Sequence, residues 1–163
     1  SIRSAEDNFE KLNNLRPVLD ANGNPVMSSG NFAVVFKMKD IETGKMYAVK
    51  CFTREQEERE ERYREIIKVL EHVKSPYFVS TQYYDKELFV DTSQSDETEF
   101  PVLVMDWVEG VPLDEYMKSI ANNQFYRELL ASRFQKLVCW LLPQPFAHGD
   151  IKPDNIIPQI RNL

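Results

Sequence analysis

Between Met27 and Phe52 the chain reads MSSGNFAVVFKMKDIETGKMYAVKCF, and apolar and polar residues alternate along most of it. That period belongs to half-buried β-strands, and the Thr43-Gly44 pair has the chemistry of a tight turn. The stretch predicts strand, tight turn, strand, hairpin and strand. Lys50 falls in the middle of the last apolar run. An ammonium there must find an anion or snorkel out of the sheet.

A second constraint sits near the other end, in HGDIKPDNII from His148 to Ile157. It sets a carboxylate, an ammonium and an amide at fixed offsets in a short, turn-rich segment. Asp150 can accept a proton from a hydroxyl, Lys152 can neutralise a transferring phosphoryl group, and Asn155 offers a neutral oxygen to Mg2+. His148 reads as a packing and hydrogen-bonding residue.

Between these lie helix and strand signals. Thr53 to Lys74 predicts a helix with Thr53 and Gln56 as a capping box, Glu58/Arg62 and Glu60/Arg64 as i, i+4 pairs, and Tyr63, Ile66, Ile67, Leu70 and Val73 as its buried stripe. Tyr77 to Val90 and the run beginning at Phe100 predict strands, separated by an acidic exposed loop. Leu113 to Asn122 predicts a short helix, and Gln124 to Leu142 a longer one, buried through Phe125, Leu129, Leu130, Phe134, Leu137, Val138 and Leu141 and stopped by Pro143 and Pro145. At the start, Phe9, Leu12 and Leu15 suit a short amphipathic helix opened by Ser4. Asp20, Asn22 and Asn24 imitate a calcium loop, but Pro25 and Asn31 occupy the positions that need glycine and glutamate, which argues against calcium.

The 163 residues are 42% hydrophobic and 28% charged, consistent with one soluble domain with a real core. No apolar run approaches membrane-spanning length and the first residues lack a signal-peptide core, so a cytoplasmic address is expected. Cys51 and Cys139 read as reduced core cysteines. A net charge of -6 argues against nucleic acid or an acidic membrane as the main partner.

His148 to Ile157 closely resembles the catalytic loop of protein kinases, H-R-D-x-K-x-x-N in its commonest form, with Gly149 in the arginine position. Ser28, Gly30, Ala33 and Val35 stand where that family has its glycine-rich G-x-G-x-x-G-x-V loop. Ala48 to Lys50 resembles its strand A-V-K, whose lysine holds the ATP phosphates. Met105, followed by Asp106, Trp107 and Val108, resembles the gatekeeper and hinge that offer backbone groups to adenine. In the family a glutamate of the regulatory helix pairs with the strand lysine. Glu65 is the candidate here, with Glu61 or no partner also open, because family spacing counted back from Pro76 lands on Ile66.

The resemblance implies an α+β, protein-kinase-like fold. It would have a five-stranded antiparallel small lobe with one regulatory helix, and the helical beginning of a large lobe. Residues 1–16 would be an accessory segment, 17–108 the small lobe and hinge, and 109–163 a partial large lobe, in a bacterial-type serine/threonine kinase-like domain. It implies ATP and Mg2+, a protein substrate presenting Ser or Thr, Asp150 and Lys152 as catalytic residues and Asn155 as a metal ligand. Gly30, Val35, Ala48, Lys50, Glu65, Met105, Asp106 and Val108 would line the nucleotide site.

The family's metal-binding D-F-G aspartate lies about a dozen residues beyond the loop asparagine, whereas IIPQIRNL after Asn155 contains no carboxylate. This chain alone is therefore expected to be inactive, and its large-lobe surface to need a partner, an oligomer or a further segment. A nucleotide-binding pseudokinase is the second reading. A small-molecule phosphotransferase, suggested by the His-Gly-Asp triplet, is the third, and Lys152 within Lys-Pro-Asp-Asn is more like protein kinases.

Overall fold

The computed structural model describes residues 2–30, 33–52, 58–73, 75–91 and 98–159, with the side chains of positions 59 and 60 excepted. The chain divides into two compact units, Ser1–Trp107 and Val108–Leu163.

The first unit is an antiparallel sheet. Strands β1 (Leu15–Pro17), β2 (Met27–Ser29), β3 (Ala33–Asp40), β4 (Met46–Phe52), β5 (Thr81–Phe89) and β6 (Glu99–Asp106) form it in the order β1-β3-β4-β6-β5, with β2 also paired to β3. The β3–β4 hairpin closes at the predicted turn. Gly44 takes the left-handed conformation at φ 74, and the Asp40 carboxylate accepts the N–H groups of Glu42 and Thr43 at 2.8 and 3.0 Å. The Thr43 bond comes first among the causes that hold the Asp40 carboxyl below its ordinary range.

The sheet has one strand more than expected, and the addition comes from the segment read as a helix. Only Ala5–Asn8 forms α-helix (α1), after a single 3-10 turn at Ile2–Ser4. Phe9 then bridges to Leu88 of β5, and Leu15–Pro17 pairs with β3. The physical reason is burial. Phe9 and Leu15 are core residues with Ala5, Met38, Val49, Cys51, Leu88, Val102 and Val104, and a helix this short has little stability of its own to set against them. Pro17 is tolerated because β1 is an edge strand.

Glu87 ties this segment down. A register irregularity in β5 between Tyr84 and Leu88 turns its side chain inward, where it is 1% exposed. One carboxylate oxygen accepts the N–H groups of Lys11 and Leu12, both at 2.7 Å. Burial raises the Glu87 pKa, and those two bonds offset part of the rise.

The loop at Asp20 is closed on itself: the carboxylate accepts the N–H groups of Asn22 and Asn24 at 2.8 and 2.9 Å. Its oxygen caps a turn.

Helix α2 (Arg59–Glu71) packs on β5. The expected capping box at Thr53 and Gln56 and the acidic run at 92–97 lie outside the described residues, as does the side chain of Glu60. The Glu58–Arg62 pair forms at 3.0 Å. The helix ends earlier than expected, with the His72 ring 2.8 Å from the Lys68 carbonyl. Tyr63, Ile67, Leu70 and Val73 of the expected stripe are half-buried and Ile66 is exposed, as is Val69, so the stripe departs from the sequence reading at Ile66 alone.

The second unit holds α3 (Leu113–Ser119), α4 (Gln124–Leu141) and a 3-10 turn at Pro153–Asn155. Asn123 caps α4 by accepting the Tyr126 N–H at 3.2 Å. The stretch after the turn lies against the stretch before α3: Leu113 N–H donates to the Ile156 carbonyl at 2.9 Å and Gln159 Nε2 to the Glu109 carbonyl at 2.9 Å. Gly110 permits this approach, since a Cβ there would meet Ile157 Cγ2 at 2.7 Å and its φ is 138. Among the described residues of this unit only Ile120 is a buried apolar side chain. Of the positions of α4 expected to be buried, Leu129, Leu130, Leu137 and Leu141 are half-buried and Phe125, Phe134 and Val138 are exposed, and Cys139 is exposed where a core position was expected.

Glu87 gives the first prediction. Glu87→Ala leaves two N–H groups without their acceptor and should cost about 1–3 kcal/mol in denaturant unfolding, with Glu87→Gln losing less because it keeps an acceptor oxygen. The raised folded pKa means the native state binds this proton more tightly than the unfolded chain. That contribution is full below the ordinary carboxylate value and is lost as pH rises through the raised one. Glu87→Gln should therefore flatten that part of the pH–stability curve.

Candidate active site

In the first unit the site is a question of sheet parity. Residues directly opposite in an antiparallel pair share a face, and Val35 lies opposite Lys50, Ala48 opposite Met105, and Lys50 opposite Leu103. Val35, Ala48, Lys50 and Met105 thus stand on one face, all half-buried. Their neighbours Phe36, Val49, Cys51, Val102 and Val104 belong to the apolar cluster on the other. Burial pushes the Cys51 thiol up to about 12, so it is inert there.

Two lysines mark the open face. Lys50 Nζ lies 5.6 Å from the centre of the Phe52 ring, and Lys37 Nζ lies 4.6 Å from that of Trp107. Nothing local in the sequence signals the second pair, whose members are far apart in the chain. The Trp107 Nε1 is buried and has no partner among the described residues.

Asp106 continues the alternation, turning its carboxylate to Lys45 at 2.7 Å. That bond is the first cause of a raised Lys45 pKa. The N–H groups of Asp106 and Trp107 are committed to the carbonyls of Ser80 and Met46. Gly30 closes the turn between β2 and β3 with its N–H on the Ala33 carbonyl at 2.9 Å; Asn31 and Phe32 lie outside the described residues. Glu65 is exposed. It follows Tyr63 by two positions, which carries it to the far side of α2. Glu61 is exposed as well.

In the second unit Asp150, Lys152 and Asn155 converge. Asp150 Oδ2 lies 3.2 Å from Lys152 Nζ and accepts from Asn155 Nδ2 at 2.7 Å. The same amide nitrogen donates to the Asp150 carbonyl at 3.0 Å. Both acceptors lack protons, which fixes the orientation of the Asn155 amide and leaves Oδ1 outside the pair. Pro153 opens the 3-10 turn, where its missing N–H costs nothing. Gly149 adopts φ 78, and the Asp150 N–H donates to His148 Nδ1 at 3.3 Å. The Lys152 bond, then the Asn155 bond, hold the Asp150 carboxyl below its ordinary range. Among the described residues no group of three or more His, Cys, Asp and Glu could hold a metal, and no helix is long and apolar enough to cross a membrane.

The family model described as a protein kinase domain matches residues 24–162. The chain belongs to the protein kinase family. It is 23% identical over 137 residues to serine/threonine-protein kinase CG17528 of Drosophila melanogaster, covering 83% of this chain and 17% of that one. It is 29% identical over 141 residues to serine/threonine-protein kinase cds1 of Schizosaccharomyces pombe, covering 80% of this chain and 28% of the relative. Among solved structures it resembles the crystal structure of Rad53 1-466 in complex with AMP-PNP, with a TM-score of 0.59 at 21% identity, over 93% of this chain and 36% of that one. The kinase fold expected from the sequence is therefore the fold observed. This kinase segment spans about a sixth to a third of the length of the relatives it matches.

Within the kinase loop the electrostatics can be tested directly. Lys152→Ala removes the first cause of the lowered Asp150 pKa, so a carboxyl NMR titration should show the Asp150 midpoint moving up toward its ordinary value. An unmoved midpoint would show that Lys152 does not govern this carboxylate in solution.

Proposed function

We propose that this kinase segment binds ATP on the Lys50 face of its sheet and that the protein containing it transfers the γ-phosphoryl group to Ser or Thr hydroxyls of a protein substrate. The observation that carries the reading is the Asp150–Lys152–Asn155 cluster. Both side-chain donors fall on Asp150 Oδ2, so Oδ1 is left to accept a hydroxyl proton. The lowered pKa keeps the group ionised at neutral pH and makes it chiefly an aligner of the hydroxyl. Lys152, on the edge of that carboxylate, can follow the negative charge that develops on a migrating phosphoryl group.

The open face fits a nucleotide. Ala48 is small, Val35 and Met105 are apolar, and Lys50 supplies a fixed cation among them, the chemistry of an aromatic base joined to a polyphosphate. Gly30 would let the backbone approach the phosphates, and the backbone of Asp106 and Val108 would meet the base. Asn155 Oδ1 is a hard neutral oxygen of the kind Mg2+ accepts, and that ion when bound supplies charge neutralisation of the phosphates. Glu65 would contribute only through a helix placement other than the one observed. The serine/threonine acceptor follows from Lys152 and from the relatives' descriptions. The exposed apolar side chains of α4 support a further segment or partner that covers them, and two free cysteines support a reducing, cytoplasmic setting.

Calorimetric titration of this chain with ATP and Mg2+ should show binding that Lys50→Met weakens roughly tenfold or more. In the protein containing the segment, Asp150→Asn should lower phosphate transfer by roughly 100- to 10,000-fold. Unchanged turnover in Asp150→Asn would sink the assignment, and transfer to small hydroxyl acceptors in place of protein would redirect it.

A further inference from the structure

Three aromatic rings from three separate elements meet on the Lys50 face. Tyr63 of α2 stacks on Tyr83 of β5 with centroids 5.4 Å apart and planes 9° from parallel. It also lies against Phe52 at the end of β4, at 5.6 Å and 52°. The Phe52 ring in turn lies 5.6 Å from Lys50 Nζ.

Parity explains the assembly. Phe52 stands two residues beyond Lys50 and so shares its face, while Tyr83 lies opposite Leu103, which lies opposite Lys50. Tyr63 of α2 is thus held between Tyr83 of β5 on one side and Phe52 of β4 on the other, and Phe52 links it to the ammonium. An ammonium within about 6 Å of a ring centre is attracted to its negative face. Stacked rings also restrict sliding and rotation more narrowly than aliphatic contacts do. Helix α2 needs such a contact, because Ile66 and Val69 are exposed and it rests on Tyr63, Ile67 and Leu70.

We propose that Tyr63 is a positioning residue for Lys50. Through Tyr83 and Phe52 it fixes α2 on the sheet and holds the Phe52 ring beside the ammonium, so that helix placement and lysine placement change together. The consequence for nucleotide affinity rests on the function proposed above. The placement of Lys50 is a property of the ligand-free chain and can be measured without a nucleotide.

The test uses this chain with its lysines 13C-methylated, the Lys50 resonance being assigned by its loss in Lys50→Arg. In the ligand-free protein the Lys50 signal should carry a ring-current shift from Phe52. Phe52→Leu and Tyr63→Leu should both return it toward the position of a free lysine, and Tyr63→Phe should leave it in place. Tyr83→Leu removes the other half of the stack and decides the point if Tyr63→Leu does not fold. In parallel titrations with a non-hydrolysable ATP analogue, the leucine variants should bind roughly fivefold more weakly, with Tyr63→Phe like the wild type. A Lys50 signal that ignores every substitution at 63 and 83 overturns the proposal. Absence of nucleotide binding by the wild type would instead overturn the proposed nucleotide binding, and the resonance would still decide the role of Tyr63.

Discussion

A strand offers its side chains to two faces in strict alternation, and this molecule depends on that alternation being right through β3, β4 and β6. Val49 and Cys51 lie in the apolar cluster and Lys50 between them points the other way. A slip of one residue would bury the ammonium and expose its neighbours, a change costing several kcal/mol for the unpaired charge alone. The same register that closes the core therefore builds the candidate nucleotide face. The tight Asp40–Gly44 turn sets that register locally, which is why its carboxylate and its left-handed glycine matter to a site some distance along the strands.

The two faces are covered by different means. The core face is closed by the beginning of the chain, which crosses the sheet as α1, an isolated bridge and β1. Glu87 holds that crossing at the cost of desolvating a carboxylate, and two short N–H bonds offset part of the cost. The other face carries α2 at one side, on an aromatic contact, and leaves Val35, Ala48, Lys50 and Met105 half-open. Stability is concentrated on one side of the sheet and the proposed binding chemistry on the other.

Much of this was legible in the sequence. Alternation and turn chemistry placed β2 to β6, and the catalytic-loop motif located the one cluster in which Asp150, Lys152 and Asn155 meet. What failed was information that no local pattern carries. Phe9, Leu12 and Leu15 recur at a spacing that suits a helix, but burial against Leu88 and Met38 decided for extended chain. Ile66 fits an apolar stripe and is nevertheless exposed, and Tyr63 of α2 stacks on Tyr83, a pairing of residues far apart in sequence. The same helix carries Glu65 outward. Phe125, Phe134 and Val138 of α4 fit a periodic stripe and are nevertheless exposed, while Leu129, Leu130, Leu137 and Leu141 are half-buried, because periodicity states which side of a helix can be buried and not what lies beside it.

The glycine of the His-Gly-Asp triplet has a further consequence for how the sequence can change. Gly149 holds φ 78, a conformation that L side chains adopt at a cost of about 1–2 kcal/mol. An arginine at this position, as in the commonest form of the loop, would meet no atom within 4 Å at its Cβ but would have to hold the same left-handed backbone. Any side chain placed at residue 149 therefore draws its cost from the backbone of the turn and not from crowding, and a turn that relaxed to relieve it would move the Asp150 N–H away from His148.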